Sequence, residues 1–478
     1  MTDVAAGLGA FGAFAVLIGA RRALLLGGVA AIAAAELLLV RAGGLHVSPK
    51  LVAAAVVALG VLAALAAALL RARWLVAPLA LVAAPFRLPL DFGRAHRFYV
   101  AVAHGGELGR LLPLYGVLAV ATLALTWETL REGGTNPLPR AIAIPTGSFL
   151  ALASLSVLWT DDVASGRNLL EFFLLPFALL VAVVARAPFP ARAPRVLGGV
   201  AVALAVLFAV IGIVEAATHR LVFYAHNLQV SNTYTSFFRV TSLFRDPSLY
   251  GRHVVLGIAI VVVCLWLREL EPLVAAALIA VLWTGLYFSY SQSSYVALFV
   301  VVLGVTLVVG SPGARRIALV AAVAAALAAG GIAAAKVAQT SVRKATSDRS
   351  RRVELTAKVF FHHPLAGVGL GAQPRASRDL APRYGPLQNF VSHTTPLTVG
   401  AELGVIGFVL YVAVIVGAAR ALVAVRRRHQ ALGLSLAAVF LALVVHSLAY
   451  SGFFEDPITW LVLGIAAAFL SSRRAVAG

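Results

Sequence analysis

The chain has 478 residues, of which 61% are hydrophobic and only 12% charged, and its formal net charge is +20. A soluble domain carries about 25% charged residues, so this composition excludes a soluble globular protein. A single cysteine, Cys264, excludes an internal disulfide and a cysteine-based metal site, and reads as a small packing residue.

Apolar stretches of about 17 to 25 residues, long enough to cross a bilayer core, recur along the whole length. Lipid offers no hydrogen bonds to the backbone, so these stretches must be helices. They predict spans near 4–20, 23–40, 51–70, 74–90, 110–126, 141–159, 168–185 and 196–216. More follow near 253–267, 272–289, 293–310, 315–335, 396–419, 431–450 and 457–472. The fold class expected is an all-α polytopic membrane protein, a helical bundle of about 12–15 transmembrane helices. The first stretch lacks a basic leader, so it reads as a span rather than a cleavable signal. Trp74, Trp127, Trp159, Trp266 and Trp460 fall near span ends, where indole rings prefer the interface.

Charge sets the orientation. Arg21–Arg22, Arg71/Arg73, Arg186/Arg192/Arg195, Arg315–Arg316, Arg426–Arg428 and Arg473–Arg474 fall on one side if the spans alternate. That side is cytoplasmic by the positive-inside rule. Two longer segments on the other side are also basic: 217–252, with four arginines against Asp246, and 336–398, with ten Lys and Arg against Asp348, Glu354 and Asp379. Long loops cross regardless of charge. Their charge suits either lipid headgroups or an anionic substrate held at the outer surface. The chain thus divides into N-terminal spans 1–140, core spans 141–335 with the loop 217–252, a large external loop 336–398, and C-terminal spans 396–478.

The first loop contains Phe238-Arg239 and Phe244-Arg245-Asp246-Pro247-Ser248-Leu249-Tyr250-Gly251. Asp246-Pro247 marks a turn, and Ser248 is a candidate cap for the next span. Arg239 and Arg245 flank it; the arginine fork matches phosphate oxygens at two points. The dull alternative is an Arg245–Asp246 ion pair.

The second loop opens with Arg349-Ser350-Arg351-Arg352, and Val353, Ala357 and Phe360 then share one helical face, predicting a short amphipathic helix on the membrane surface. In His363-Pro364-Leu365-Ala366-Gly367-Val368-Gly369-Leu370-Gly371 the proline ends that helix and the glycines permit a tight turn. Consecutive amides in such a turn can cradle an anion. His393 stands at the mouth of the next span and can serve as a general base, though a lone histidine there is usually interfacial. Glu402 lies inside that span, where an acid is costly.

Together these stretches resemble the O-antigen ligase and polysaccharide polymerase superfamily. The resemblance rests on Arg239…Phe244-Arg245-Asp246-Pro247-Ser248-Leu249-Tyr250-Gly251, on Arg351…His363-Pro364-Leu365-Ala366-Gly367-Val368-Gly369-Leu370-Gly371, and on His393…Gly400-Ala401-Glu402-Leu403-Gly404-Val405-Ile406-Gly407. Departures are Gln292 in Ser291-Gln292-Ser293, where the family often has arginine, and Ser248 and Thr394 at its asparagine positions.

The resemblance implies a bundle of the lipid-dependent glycosyltransferase type, with short helices in a large external loop and the active site on the external face of the bacterial inner membrane. It implies transfer of a glycan from an undecaprenyl-diphosphate-linked donor to a lipid, glycan or protein acceptor, as in lipopolysaccharide and cell-envelope assembly, with no cofactor or metal. By position, Arg239 and Arg245 act at the diphosphate and His393 at the reacting centre. Arg349, Arg351, Arg352, Gln292, Gly367, Gly369 and Glu402 are the further substrate-binding candidates. A polymerase extending carrier-linked units is the alternative within the family. A transporter or flippase is the alternative of another class, and would use Glu36, Glu171 or Glu215 within the membrane.

Overall fold

Apolar sequence dictates helix throughout. The computed structural model describes residues 1–43, 49–86, 111–222, 226–244, 246–339, 349–381 and 391–472. Among these, eleven helices are long and apolar enough to cross a membrane, and Thr2–Ile18, Pro272–Tyr287 and Pro457–Ser472 are shorter apolar helices. The chain is therefore a polytopic helical membrane protein. The predicted spans at 51–70 and 74–90 form one run, Val52–Ala83, broken at Ala72, whose φ of −146° leaves the helical region. The end of the second, like Arg245 and parts of both basic loops, lies outside the described residues.

The helices divide into two compact units. One comprises Met1–Ala193, Leu355–Val425 and Gly452–Gly478, and the other Pro194–Glu354 and Arg426–Ser451.

In the first unit, Thr2–Ile18 packs on Arg22–Ala42 and Arg140–Leu155, and Leu175–Ala185 packs on Pro457–Ser472. Trp460, expected at an interface, is instead 1% exposed. Its ring lies 5.8 Å from that of Phe454 and 6.1 Å from that of Phe177, and its indole N–H donates to the Phe454 carbonyl at 2.9 Å. With its one polar group satisfied, the indole has no need of water. Arg186 donates to the carbonyls of Gly19 at 2.6 Å and Ala182 at 3.2 Å and to the Thr135 hydroxyl at 3.0 Å. Burial pushes its guanidinium down to about 10, still a cation at neutral pH.

In the second unit, Pro247–Trp266, Gln292–Val309 and Gln430–Ser447 pack on one another. Asp246 caps the first, accepting from the amides of Ser248 at 2.7 Å and Leu249 at 3.0 Å. The cap is thus Asp246 and not Ser248, because Pro247 takes the first helical position, where its missing N–H costs nothing. Glu215 accepts three amides, from Val222 at 2.7 Å, Thr241 at 2.8 Å and Ser242 at 2.7 Å. It braces the loop after its helix, which is a structural use of an acid considered for transport.

Candidate functional site

The helix Arg349–His362 stops where Pro364 requires it. Its packed residues are Leu355, Thr356 and Val359, while Val353 is 40% exposed. The face that packs on the protein is thus Leu355, Thr356 and Val359, and Val353 is left outside it. Val359 joins Val368, Ala372 and Ala401 in a small core, with Phe360 against it.

The helix Thr395–Arg428 is broken at Gly404, with φ 64° and ψ −165°. Beyond the break, the Val405 amide donates to Pro364 O at 2.7 Å. Before it, the Ala401 and Glu402 carbonyls, deprived of their acceptor role in a continuous helix, accept from Val368 N at 3.0 Å and Gly369 N at 2.8 Å. The glycine-rich loop and the broken helix are thus joined by backbone bonds. A Cβ on Gly404 would stand 2.1 Å from Leu365 O, and one on Gly367 2.2 Å from the Glu402 carbonyl carbon. Both glycines also have positive φ, so each position requires glycine on two counts.

The loop's other side is held by a distant segment. Trp159 Nε1 donates to Ala366 O at 3.2 Å, Asp161 N to Val368 O at 3.2 Å, and Thr160 Oγ1 to Leu370 O at 2.8 Å. Leu370 N donates to Ser156 Oγ at 3.2 Å. The amides of residues 367–370 therefore already have protein acceptors, and the anion cradle expected of this turn is instead a packing joint.

Glu402 is buried and accepts from the amides of Gly371 and Gln373, the latter at 3.4 Å. His393 is half-buried, with φ 59°, one of five non-glycine residues at positive φ among the described residues. Its neighbours are fixed. Ser392 Oγ bonds Thr398 Oγ1 at 2.6 Å and the Thr394 carbonyl at 3.0 Å, and the Thr394 amide donates back to Ser392 Oγ at 3.1 Å.

In the other unit, Asn232 pins the Arg239 backbone, donating to its carbonyl at 2.9 Å and accepting from its amide at 3.0 Å. Arg239 Nε donates to Ser289 O at 3.3 Å, and Val240 N to Phe288 O at 3.1 Å. The arginine is thereby held against the turn that leads into the helix Gln292–Val309, where Gln292 is exposed. Burial lowers the Arg239 guanidinium from its usual value; Asp246 opposes this and the nearby Arg349 adds to it. Arg351 and Arg352 are half-buried on the same helix as Arg349.

The candidates thus fall into two sets. Gly367, Gly369, His393 and Glu402 share the first unit; Arg239, Gln292, Arg349, Arg351 and Arg352 share the second. Gln373, Ser392 and the segment 156–161 have no signature that points to them in the sequence. Among the described residues, no group of three His, Cys, Asp or Glu is placed to hold a metal ion.

Eleven helices of membrane-crossing length among the described residues define a multi-pass membrane protein. Residues 275–412 match the family model described as O-antigen ligase, Wzy_C. Over that stretch the chain is therefore similar to the superfamily its motifs resemble. The match contains every candidate except Arg239 and Arg245, which precede it. No curated protein matches the chain.

Proposed function

We propose that the chain is a lipid-dependent glycosyltransferase that moves a glycan from an undecaprenyl-diphosphate-linked donor to an acceptor at the outer face of the bacterial cytoplasmic membrane. The observation that carries this reading is His393, held at positive φ at the start of a span inside the stretch matching the O-antigen ligase family. Backbone strain of this kind persists only where the surroundings over-determine it, and it clusters at active sites.

The chemistry needs no redox step. The acceptor oxygen attacks the anomeric carbon; a glycosidic bond forms as the bond to the diphosphate breaks, and undecaprenyl diphosphate leaves with the electron pair. His393 takes the acceptor's hydroxyl proton as general base. Arg239, Arg245 and the Arg349–Arg352 run stabilise the charge growing on the leaving diphosphate. Gln292 is a further substrate-binding residue. Gly367, Gly369 and Glu402 build the frame behind His393.

The test is a gel assay with the protein in vesicles, a carrier-linked glycan and a separate acceptor. Transfer of the intact glycan to the acceptor supports a ligase. A ladder of carrier-linked products supports the polymerase reading, and absence of any glycan transfer overturns both.

A further inference from the structure

Gln373 is fully buried, and its polar atoms reach its own helix and three other parts of the first unit. Its side-chain nitrogen donates to Thr356 Oγ1 at 2.9 Å, on the helix Arg349–His362, and to Ser377 Oγ at 2.8 Å. Its side-chain oxygen accepts from the Ser392 amide at 3.3 Å, immediately before His393. Its own amide donates to Glu402 Oε1 at 3.4 Å, two residues before the break at Gly404.

A buried amide must be satisfied to be tolerated, and once satisfied it fixes the geometry of whatever it bonds. A leucine here would fill the space without these bonds. The residue before His393 has its amide on Gln373 and its hydroxyl on Thr398 and Thr394. The backbone on both sides of the histidine is therefore set by side-chain bonds, while the histidine itself keeps φ 59°. Left-handed backbone at a non-glycine residue costs about 1–3 kcal/mol and relaxes when such bonds are lost.

We infer that Gln373 is a positioning residue for His393, holding the base in its working orientation through Ser392. This rests on His393 being the general base of the proposed transfer. Misplacing a reacting group by about 1 Å can cost about 10²-fold in rate. Loss of the Gln373–Ser392 bond should thus lower kcat and spare KM for the donor, which the arginines hold.

The test is a double-mutant cycle on the full-length protein in vesicles, with turnover of a carrier-linked glycan as readout. Gln373→Met keeps the volume and removes the bonds. It should lower kcat about 10- to 10²-fold with KM for the donor unchanged, and should have no further effect in a His393→Ala background. Equal losses in both backgrounds would mark Gln373 as a general structural residue and overturn the inference. So would wild-type kcat in Gln373→Met alongside a crippled His393→Ala. If His393→Ala itself turns over normally, the reading of His393 fails first and the inference falls with it. Should Gln373→Met not accumulate in the membrane, Gln373→Asn carries the same cycle, since it keeps amide polarity but is one methylene too short to reach Ser392.

Discussion

The amide of Gly369 donates to the carbonyl of Glu402 at 2.8 Å, across a sequence gap that holds the whole approach to His393. Two motifs separated in the chain are one structural object, and damage to either should be felt at the other.

Gly404→Ala and Gly367→Ala should each destabilise the first unit by several kcal/mol. Each adds a Cβ into backbone atoms at a positive φ, so strain and overlap act together. Gly7→Ala, with nothing within 4 Å of its Cβ, should be neutral. Thermal unfolding in detergent distinguishes them, and normal melting of Gly404→Ala would contradict the joint.

Arg239→Ala or Arg245→Ala should cut transfer about 10²–10³-fold, the scale for losing one preorganised charge stabiliser. Arg428→Ala, in the expected cytoplasmic cluster, should have little effect at equal expression. Lysine at 239 or 245 should rescue only partly, because it lacks the planar fork. Full activity in both alanine variants would remove the diphosphate role.

His393→Ala should lose about 10²–10⁴-fold in rate. In the wild type, rate should fall as pH drops through the imidazole's titration, since a protonated ring cannot accept the acceptor's proton. The alanine variant should lack that acid limb. A pH–rate profile identical in both would assign the limb elsewhere.

The segments 217–252 and 336–398 should face the non-cytoplasmic side. In a Cys264→Ala background, single cysteines at the exposed positions Ser236 and Lys358 should react with an impermeant reagent applied outside. Labelling of both only after the inner face is opened would invert the topology.

Activity should survive a strong chelator, because the external loops carry histidines but few acids to complete an oxygen-rich site. Complete loss that a single divalent metal restores would contradict this.

The helices and the motif order were legible because hydropathy and proline act locally: Pro364 ends a helix wherever it stands. The cap at Asp246 was misread as Ser248, although Pro247 between them decides it by its preference for the first helical position. The anion cradle was misread for a different reason. Whether an amide is free depends on what packs against it, and the partners here, Ser156 and the carbonyls of Ala401 and Glu402, come from remote segments. Gln373 was invisible for the same reason, since a glutamine in a basic loop carries no pattern that marks it as buried.

The break at Gly404 also divides labour along the helix Thr395–Arg428. As one rod its 34 residues would measure about 51 Å, against a hydrocarbon core of about 30 Å. Residues 405–428 alone give about 36 Å, enough to cross with a modest tilt. The nine residues before the break are surplus to the crossing. Their last carbonyls, on Ala401 and Glu402, are spent on the glycine-rich loop, so this stretch serves as the loop's support rather than as part of a membrane crossing.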